Sequence, residues 1–225
     1  MRQNLTYYIP GIPKTLLREH YRCHPQIIDF CNRKFYNNQL IILSEAQTDR
    51  EPILVYRTVA GNHARDRMNQ RQIDVISQEI IPQQKLETAD LGIVTPYRNQ
   101  TSALQQAFQG TSVKADTVDK FQGRGNDVII LSTVDNEISG FTDHPNRLNV
   151  AVSRAKDQLI LVVNGNENEK DNNISDLIRY IEYQNSRSSI VNYILFLITS
   201  TKAMKRNEGS YWPGKRKKRF STARI

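Results

Sequence analysis

The sequence predicts a parallel, doubly wound α/β sheet, and three observations carry that prediction. From about residue 50 onward, apolar runs of strand length alternate with segments of helical periodicity. The connections between them are short and close on Pro or Gly. The run Asp127-Val-Ile-Ile-Leu-Ser-Thr-Val134 is almost continuously apolar and β-branched, the pattern of a strand covered on both faces. Strand and helix in turn build a sheet with helices on either side.

The elements come in order along the chain. Pro25 to Phe35 reads as a helix with Ile27, Ile28, Cys31 and Phe35 inward. Ile53 to Tyr56 reads as a strand. Arg67 to Ile81 places Ile73, Ile76, Ile80 and Ile81 at helical spacing, with Pro82 as its stop. Leu91 to Thr95 is a short strand closed by Pro96. Arg98 to Phe108 is a helix with Leu104, Ala107 and Phe108 on one face and Gly110 beyond its end. Val113 to Val118 is a strand, Asp127 to Val134 the central one, Pro145 to Lys156 a helix, Leu159 to Val163 a strand and Ile174 to Tyr183 a helix.

The predicted division is a lead-in over 1–15, one domain over 16–186, and an atypical tail over 187–225 that turns from apolar to basic. The net charge is +8. Nine of the 31 Lys and Arg, against one of the 23 Asp and Glu, fall between Lys202 and Ile225, so the main body balances at 22 of each sign. Nucleic-acid binding by the body therefore rests on local placement of charge. The tail is expected to be poorly structured, and its abrupt change of character reads as an altered reading frame or an accidental terminus.

Two cysteines, Cys23 and Cys31, exclude a disulfide scaffold and point to a reducing compartment. The start lacks a signal-peptide pattern, and the most apolar stretch, Ile190 to Ile198, is about half of the ~18 residues a membrane span needs. A cytoplasmic protein away from membranes is expected.

Four segments carry chemistry: EHYRCHP at 19–25, GIVTPYRNQ at 92–100, TVDKFQGRGNDVIILSTV at 117–134 and PNRLNVAVSRAK at 145–156. Three follow or flank strands, which predicts that they gather at the carboxyl edge of the sheet, where open α/β sheets bind ligands. Arg22, Arg147 and Arg154 would stand there as guanidiniums suited to phosphate oxygens. Arg147 and Arg154, seven apart on one predicted helix, would share a face.

In this order the four segments resemble the C-terminal RecA-like (AAA-type) motor domain of superfamily 1 helicases, in the group of the nonsense-mediated-decay helicase and the replication helicase-nuclease. The resemblance covers about residues 16–165. It implies that Arg22 and Arg154 reach the phosphates of ATP bound with Mg²⁺, Arg154 as the arginine finger, a device worth about 10³–10⁵ in rate. It implies that Gln122, Gly123, Gly125 and Arg147 lie beside the nucleotide, and that Thr95, Pro96, Tyr97 and Thr117 hold a single strand of DNA or RNA. Movement from 5′ to 3′ is implied as well.

One position departs from the family pattern. Gly125 stands where a Glu usually binds the ribose, and losing a charged acceptor there costs about 1–3 kcal/mol of nucleotide binding.

The phosphate-binding loop, G-x-x-x-x-G-K-[ST], is missing. Its nearest match, Gly209 to Lys215, continues into Arg216 and is flanked by no strand. An N-terminal RecA-like lobe carrying that loop and the Mg²⁺ ligands is thus the expected partner, and this chain alone is expected to be inactive. The alternative is a non-catalytic nucleic-acid-binding or regulatory module. His20, Cys23, His24 and Cys31 lack the hairpin spacing of a zinc site, so no metal is expected. Gly123 and Gly125 do not begin a dinucleotide fingerprint, because Val128 stands where its third Gly belongs.

Overall fold

The computed structural model describes residues 16–121, 125–166 and 171–185. The chain divides into two compact units, 1–181 and 182–225, and the sheet belongs to the first. The basic tail, Gln122 and Gly123 lie outside the described residues.

The five-stranded sheet is parallel throughout. Its strands are β1 (Ile53–Thr58), β2 (Leu91–Thr95), β3 (Lys114–Thr117), β4 (Asn126–Ser132) and β5 (Ala155–Asn164), in the spatial order β1-β5-β4-β2-β3. Helix α1 spans Pro25–Phe35, α2 Gln70–Val75, α3 Arg98–Ala107 and α4 Pro145–Val152, and a last helix covers 173–185. This is the RecA-like α/β architecture predicted from the sequence.

Alternation along the strands sorts the core into two layers. Val94, Ile129, Leu131, Leu159, Leu161 and Val163 face α1, α4 and the last helix, meeting Ile27, Ile28, Leu148, Val152 and Leu177. Their neighbours Ile93, Val128, Ile130, Ile160 and Val162 face the other way, onto Ile73, Ile76, Ile80 and Leu104. Successive strand residues point to opposite faces, so a run such as Val128 to Leu131 is apolar throughout because both faces are covered.

Several helix boundaries differ from the expectation. Arg67 does not start a helix. Ala64–Arg65 and Met68–Asn69 pair antiparallel, and Asp66 and Arg67 turn between them at φ 50° and 59°. The helix begins at Gln70, capped by Asn69, whose side chain accepts from the Gln72 amide. Nor does it stop at Pro82. Ile76–Ile80 form a π turn in which the Ile81 amide reaches back five residues to the Ile76 carbonyl, and the wider turn seats the proline at the start of the next helical turn. In α3 the inward residues are Gln100, Thr101 and Leu104, while Ala107 is exposed.

The end of α4 changes the placement of a key arginine. The helix stops at Val152 with Ser153 as its cap, and Ala155 already opens β5 in register with Asn126. Arg154 lies in the turn between them. Arg147 and Arg154 therefore do not share a helix face. They stand toward opposite ends of the helix, Arg147 in its first turn and Arg154 two residues beyond its last.

Candidate nucleotide edge and candidate strand edge

The motif residues are not gathered at one edge of the sheet. A group at the amino ends of β4 and β5 comprises Arg22, Gly125 and Arg154. A second group, at the carboxyl ends of β2 and β3, comprises Thr95, Pro96, Tyr97 and Thr117, with Arg147 beside it. Chain direction explains the split. β3 ends at Thr117 and its parallel neighbour-but-one β4 begins at Asn126, so Thr117 and Gly125 lie at opposite edges of the sheet. Phe121 is buried between them in sequence, and a Cβ on Gly92 would press against it. One motif thus delivers Thr117 to one edge and Gly125 to the other. Helix α4, running back against the strands, does the same for Arg147 and Arg154.

At the amino edge, the segment holding Arg22 is pinned to β5. The His24 amide donates to the Lys156 carbonyl at 2.6 Å, and the Cys23 thiol donates to the Ser153 carbonyl at 3.3 Å. His24 caps α1 by accepting from the Gln26 amide. The His20 ring accepts from the Cys23 amide. Burial lowers the pKa of His20 and the positive charge of Arg22 lowers it further, so the ring stays neutral and available as an acceptor. Both cysteines are free and buried. These contacts give the His and Cys side chains structural work, and no group of three His, Cys, Asp or Glu suited to a metal ion occurs among the described residues.

Arg22 stands close enough to Arg154 to disfavour the charge of Arg154. The pKa of Arg154 is lowered first by burial and then by Arg22, while its Nε donates to the Val150 carbonyl at 3.3 Å. Arg22 is exposed, and among the described residues no carboxylate pairs with it. Its guanidinium lies against Gly125: a Cβ there would overlap it and would sit 3.0 Å from the Arg154 carbonyl. Two guanidiniums brought together beside backbone repel one another, and an anion between them relieves that repulsion.

At the carboxyl edge, Thr95 is fully buried and its hydroxyl finds no partner among the described residues. Thr117 is buried, and its amide is held by the Asp116 carboxylate at 2.8 Å. Pro96 and Arg147 line the same small hollow with Val118, Thr133 and Thr142. Arg147 faces Asp119 at 3.6 Å and lies over the ring of Phe141, 3.9 Å from its centre, while Asp143 accepts from the Ile174 amide and from Asn173. Phe141 in turn stacks on Tyr97, with ring centres 5.4 Å apart and planes 13° from parallel. The Tyr97 hydroxyl meets Ser139 at 3.0 Å, and burial raises its pKa. Phe141 and the stack it completes went unnoticed in the sequence, because a lone Phe in a polar loop belongs to no periodic pattern.

A hollow between Arg50, Glu87, Asp90, Asp127 and Asp157 also opens near the start of β4, and Lys156 pairs with Asp127 at 2.7 Å beside it.

Comparison with known proteins supplies the family. The AAA domain family matches residues 3–166, and the chain belongs to that family: it is a superfamily 1 helicase RecA-like domain. It is 29% identical over 221 residues to an uncharacterized ATP-dependent helicase of Caenorhabditis elegans, across 84% of this chain and 14% of that protein. It is 40% identical over 91 residues to a Regulator of nonsense transcripts 1 homolog of Neurospora crassa, across 35% of this chain and 8% of that protein. A DNA replication ATP-dependent helicase/nuclease of Arabidopsis thaliana is 40% identical over 83 residues, across 34% of this chain and 6% of that protein. The chain spans a small part of each of these relatives. Among the described residues no helix is long and apolar enough to cross a membrane.

Proposed function

We propose that this domain, 16–186 in the sequence division, is the C-terminal half of an ATP-dependent nucleic-acid helicase or translocase, working in the cytoplasm with an N-terminal RecA-like lobe. The observation that carries the reading is the separation of the motif residues onto two edges of one rigid sheet. A motor must couple a change at a nucleotide to a change of grip on a strand, and a sheet with one group at each edge links the two mechanically.

At the amino edge, Arg22 and Arg154 are the residues that bind phosphate, Arg154 as the arginine finger, with Gln122, Gly123 and Gly125 alongside. The mutual repulsion of the two guanidiniums fits them to the polyphosphate of ATP. ATP with Mg²⁺ supplies a phosphoryl group whose transfer builds negative charge, and the arginines stabilise that charge. The phosphate loop and the metal ligands belong to the other lobe in this reading. Gly125 offers no side chain to the sugar, so this half holds the nucleotide by its phosphates.

At the carboxyl edge, Thr95, Pro96, Tyr97 and Thr117 receive a single strand. The unpartnered hydroxyl of Thr95 supports this, since a buried hydroxyl without a partner costs about 1–3 kcal/mol unless something arrives to bond it. Arg147, which the family resemblance put beside the nucleotide, joins the strand group in this reading because of where it stands.

The test uses the chain itself. Phosphate release from ATP and binding of a fluorescent single-stranded oligonucleotide are measured on wild type and on Arg154→Ala. The reading expects strand binding without turnover. Turnover that Arg154→Ala abolishes would show a self-sufficient site and contradict it. A non-catalytic binding module is the second reading, favoured by Gly125. It is distinguished by strand affinity that stays indifferent to ATP when a phosphate-loop lobe is present in the same chain.

A further inference from the structure

Four side chains from three separate stretches form a row at the carboxyl edge. The Arg67 guanidinium lies 5.9 Å from the centre of the Tyr97 ring, Tyr97 stacks on Phe141, and Arg147 lies over Phe141. The order along the row is Arg67, Tyr97, Phe141, Arg147. Neither Arg67 nor Phe141 belongs to any of the four motifs.

The row is held in place from several sides. Asp66 and Arg67 both adopt left-handed backbone at the tip of the 64–69 hairpin, a conformation that L residues other than Asn, Asp and Gly enter rarely. The Asn99 side chain donates to the Asp66 carbonyl at 2.7 Å and locks that tip. Asn136 accepts from the amides of His63 and Ala64 at the base of the hairpin, at 2.8 and 2.7 Å. On the other side, the Asp135 carboxylate accepts from the Ser139 and Thr142 hydroxyls at 2.7 and 2.6 Å and so shapes the loop that presents Phe141. Phe141 nevertheless remains 44% exposed. Burial of Phe141 does not account for this scaffolding, whereas a surface shaped for a ligand does.

We propose that the row is a backbone-gripping surface for single-stranded nucleic acid, with Arg67 and Arg147 each taking a phosphate and the exposed rim of Phe141 facing a sugar or base. A guanidinium held over an aromatic ring still offers paired N–H donors matched to phosphate oxygens. Aromatic faces flanked by arginine are the combination that binds single strands without regard to sequence. The contact between Arg147 and Asp119, whose side chain is 69% exposed, is the weak kind of pair that a phosphate displaces. The proposal rests on the strand-edge reading above and extends it to two residues outside the motifs.

The experiment measures affinity of the full chain for fluorescein-labelled oligo-dT and oligo-U by anisotropy across a salt series. The basic tail is the same in every variant, so differences between variants isolate the row. Arg67→Ala and Arg147→Ala should each flatten the slope of log K against log salt by about 0.7, the increment for one phosphate on a single strand. Arg67→Lys should keep the wild-type slope, and Phe141→Leu should weaken binding several-fold with unfolding unchanged. The control is Lys85→Ala, an exposed cation outside the row and outside the four motifs, which should leave the slope alone. Wild-type slope and affinity in Arg67→Ala would overturn the proposal, as would an equal flattening in Lys85→Ala. Failure of the wild-type chain to bind either oligonucleotide would instead sink the strand-edge reading itself.

Discussion

The guanidinium of Arg22 occupies the space in which a side chain at Gly125 would begin. Position 125 and Arg22 therefore compete for one volume. A residue with a Cβ at 125 and Arg22 in its present place exclude each other, so the identity of residue 125 sets where this arginine stands. Gly125 thus leaves the room in which Arg22 stands at the amino edge.

Gly125→Ala should displace the Arg22 side chain while the chain stays folded, because the obstruction is the far end of a flexible side chain. The Arg22 Nε–H resonance should shift in NMR spectra, with stability within about 1 kcal/mol of wild type. An unmoved resonance would refute the competition for space.

Asn69 joins three parts of the fold and should be costly to remove. It is fully buried, caps α2 by accepting from the Gln72 amide, donates its own backbone amide to Gln100 Oε1 at 2.8 Å and donates its side-chain amide to the Val134 carbonyl at 3.0 Å. Val134 is a β-branched residue held at φ 70°, so this last bond also secures strained backbone. Asn69→Ala should destabilise by about 2–4 kcal/mol, the loss of a cap plus an unsatisfied buried carbonyl. Urea unfolding reads this directly, and a loss under about 1 kcal/mol would contradict it.

The thiols should be silent in the native protein. Burial pushes the Cys23 thiol up to about 11, and Arg22 and Arg154 counter only part of that. Cys31 is driven up by burial and by Cys23. A thiol reagent at about pH 8 should titrate neither until denaturant is added, after which both react. Fast labelling of Cys23 in native buffer would contradict its placement against Ser153.

Stability should also carry a pH signature from Asp157. Its pKa is raised by burial and by Asp127, with Lys156, His24 and Arg50 opposing. A carboxyl whose folded pKa exceeds its unfolded value binds a proton on folding, so stability falls as pH rises from the ordinary value of 3.8 through the raised one. Asp157→Asn should therefore raise the thermal midpoint at about pH 7 and lose that advantage near pH 4. An equal gain at both values would contradict the assignment.

The strands were legible because both of their faces are buried: the apolar run from Val128 to Leu131 admits few other readings. Helix ends were not. Asp66 and Arg67 enter left-handed backbone without a Gly to announce the turn, and Pro82 stops nothing because the π turn before it makes room. The motifs were legible one by one, yet their arrangement was not, since linear order does not reveal that Thr117 and Gly125 lie at opposite edges of the sheet. Arg67 and Phe141 gave no signal in the sequence; only the hairpin and the loop that present them bring them to Tyr97.

Hydrogen exchange with and without a single-stranded oligonucleotide is the sharpest test of the separation between the two edges. Separate edges predict protection of the amides around 95–97, 117–119 and 141–147, with those around Arg22, Gly125 and Arg154 unchanged. Protection centred on Arg22 and Arg154, with the carboxyl edge unchanged, would contradict that separation.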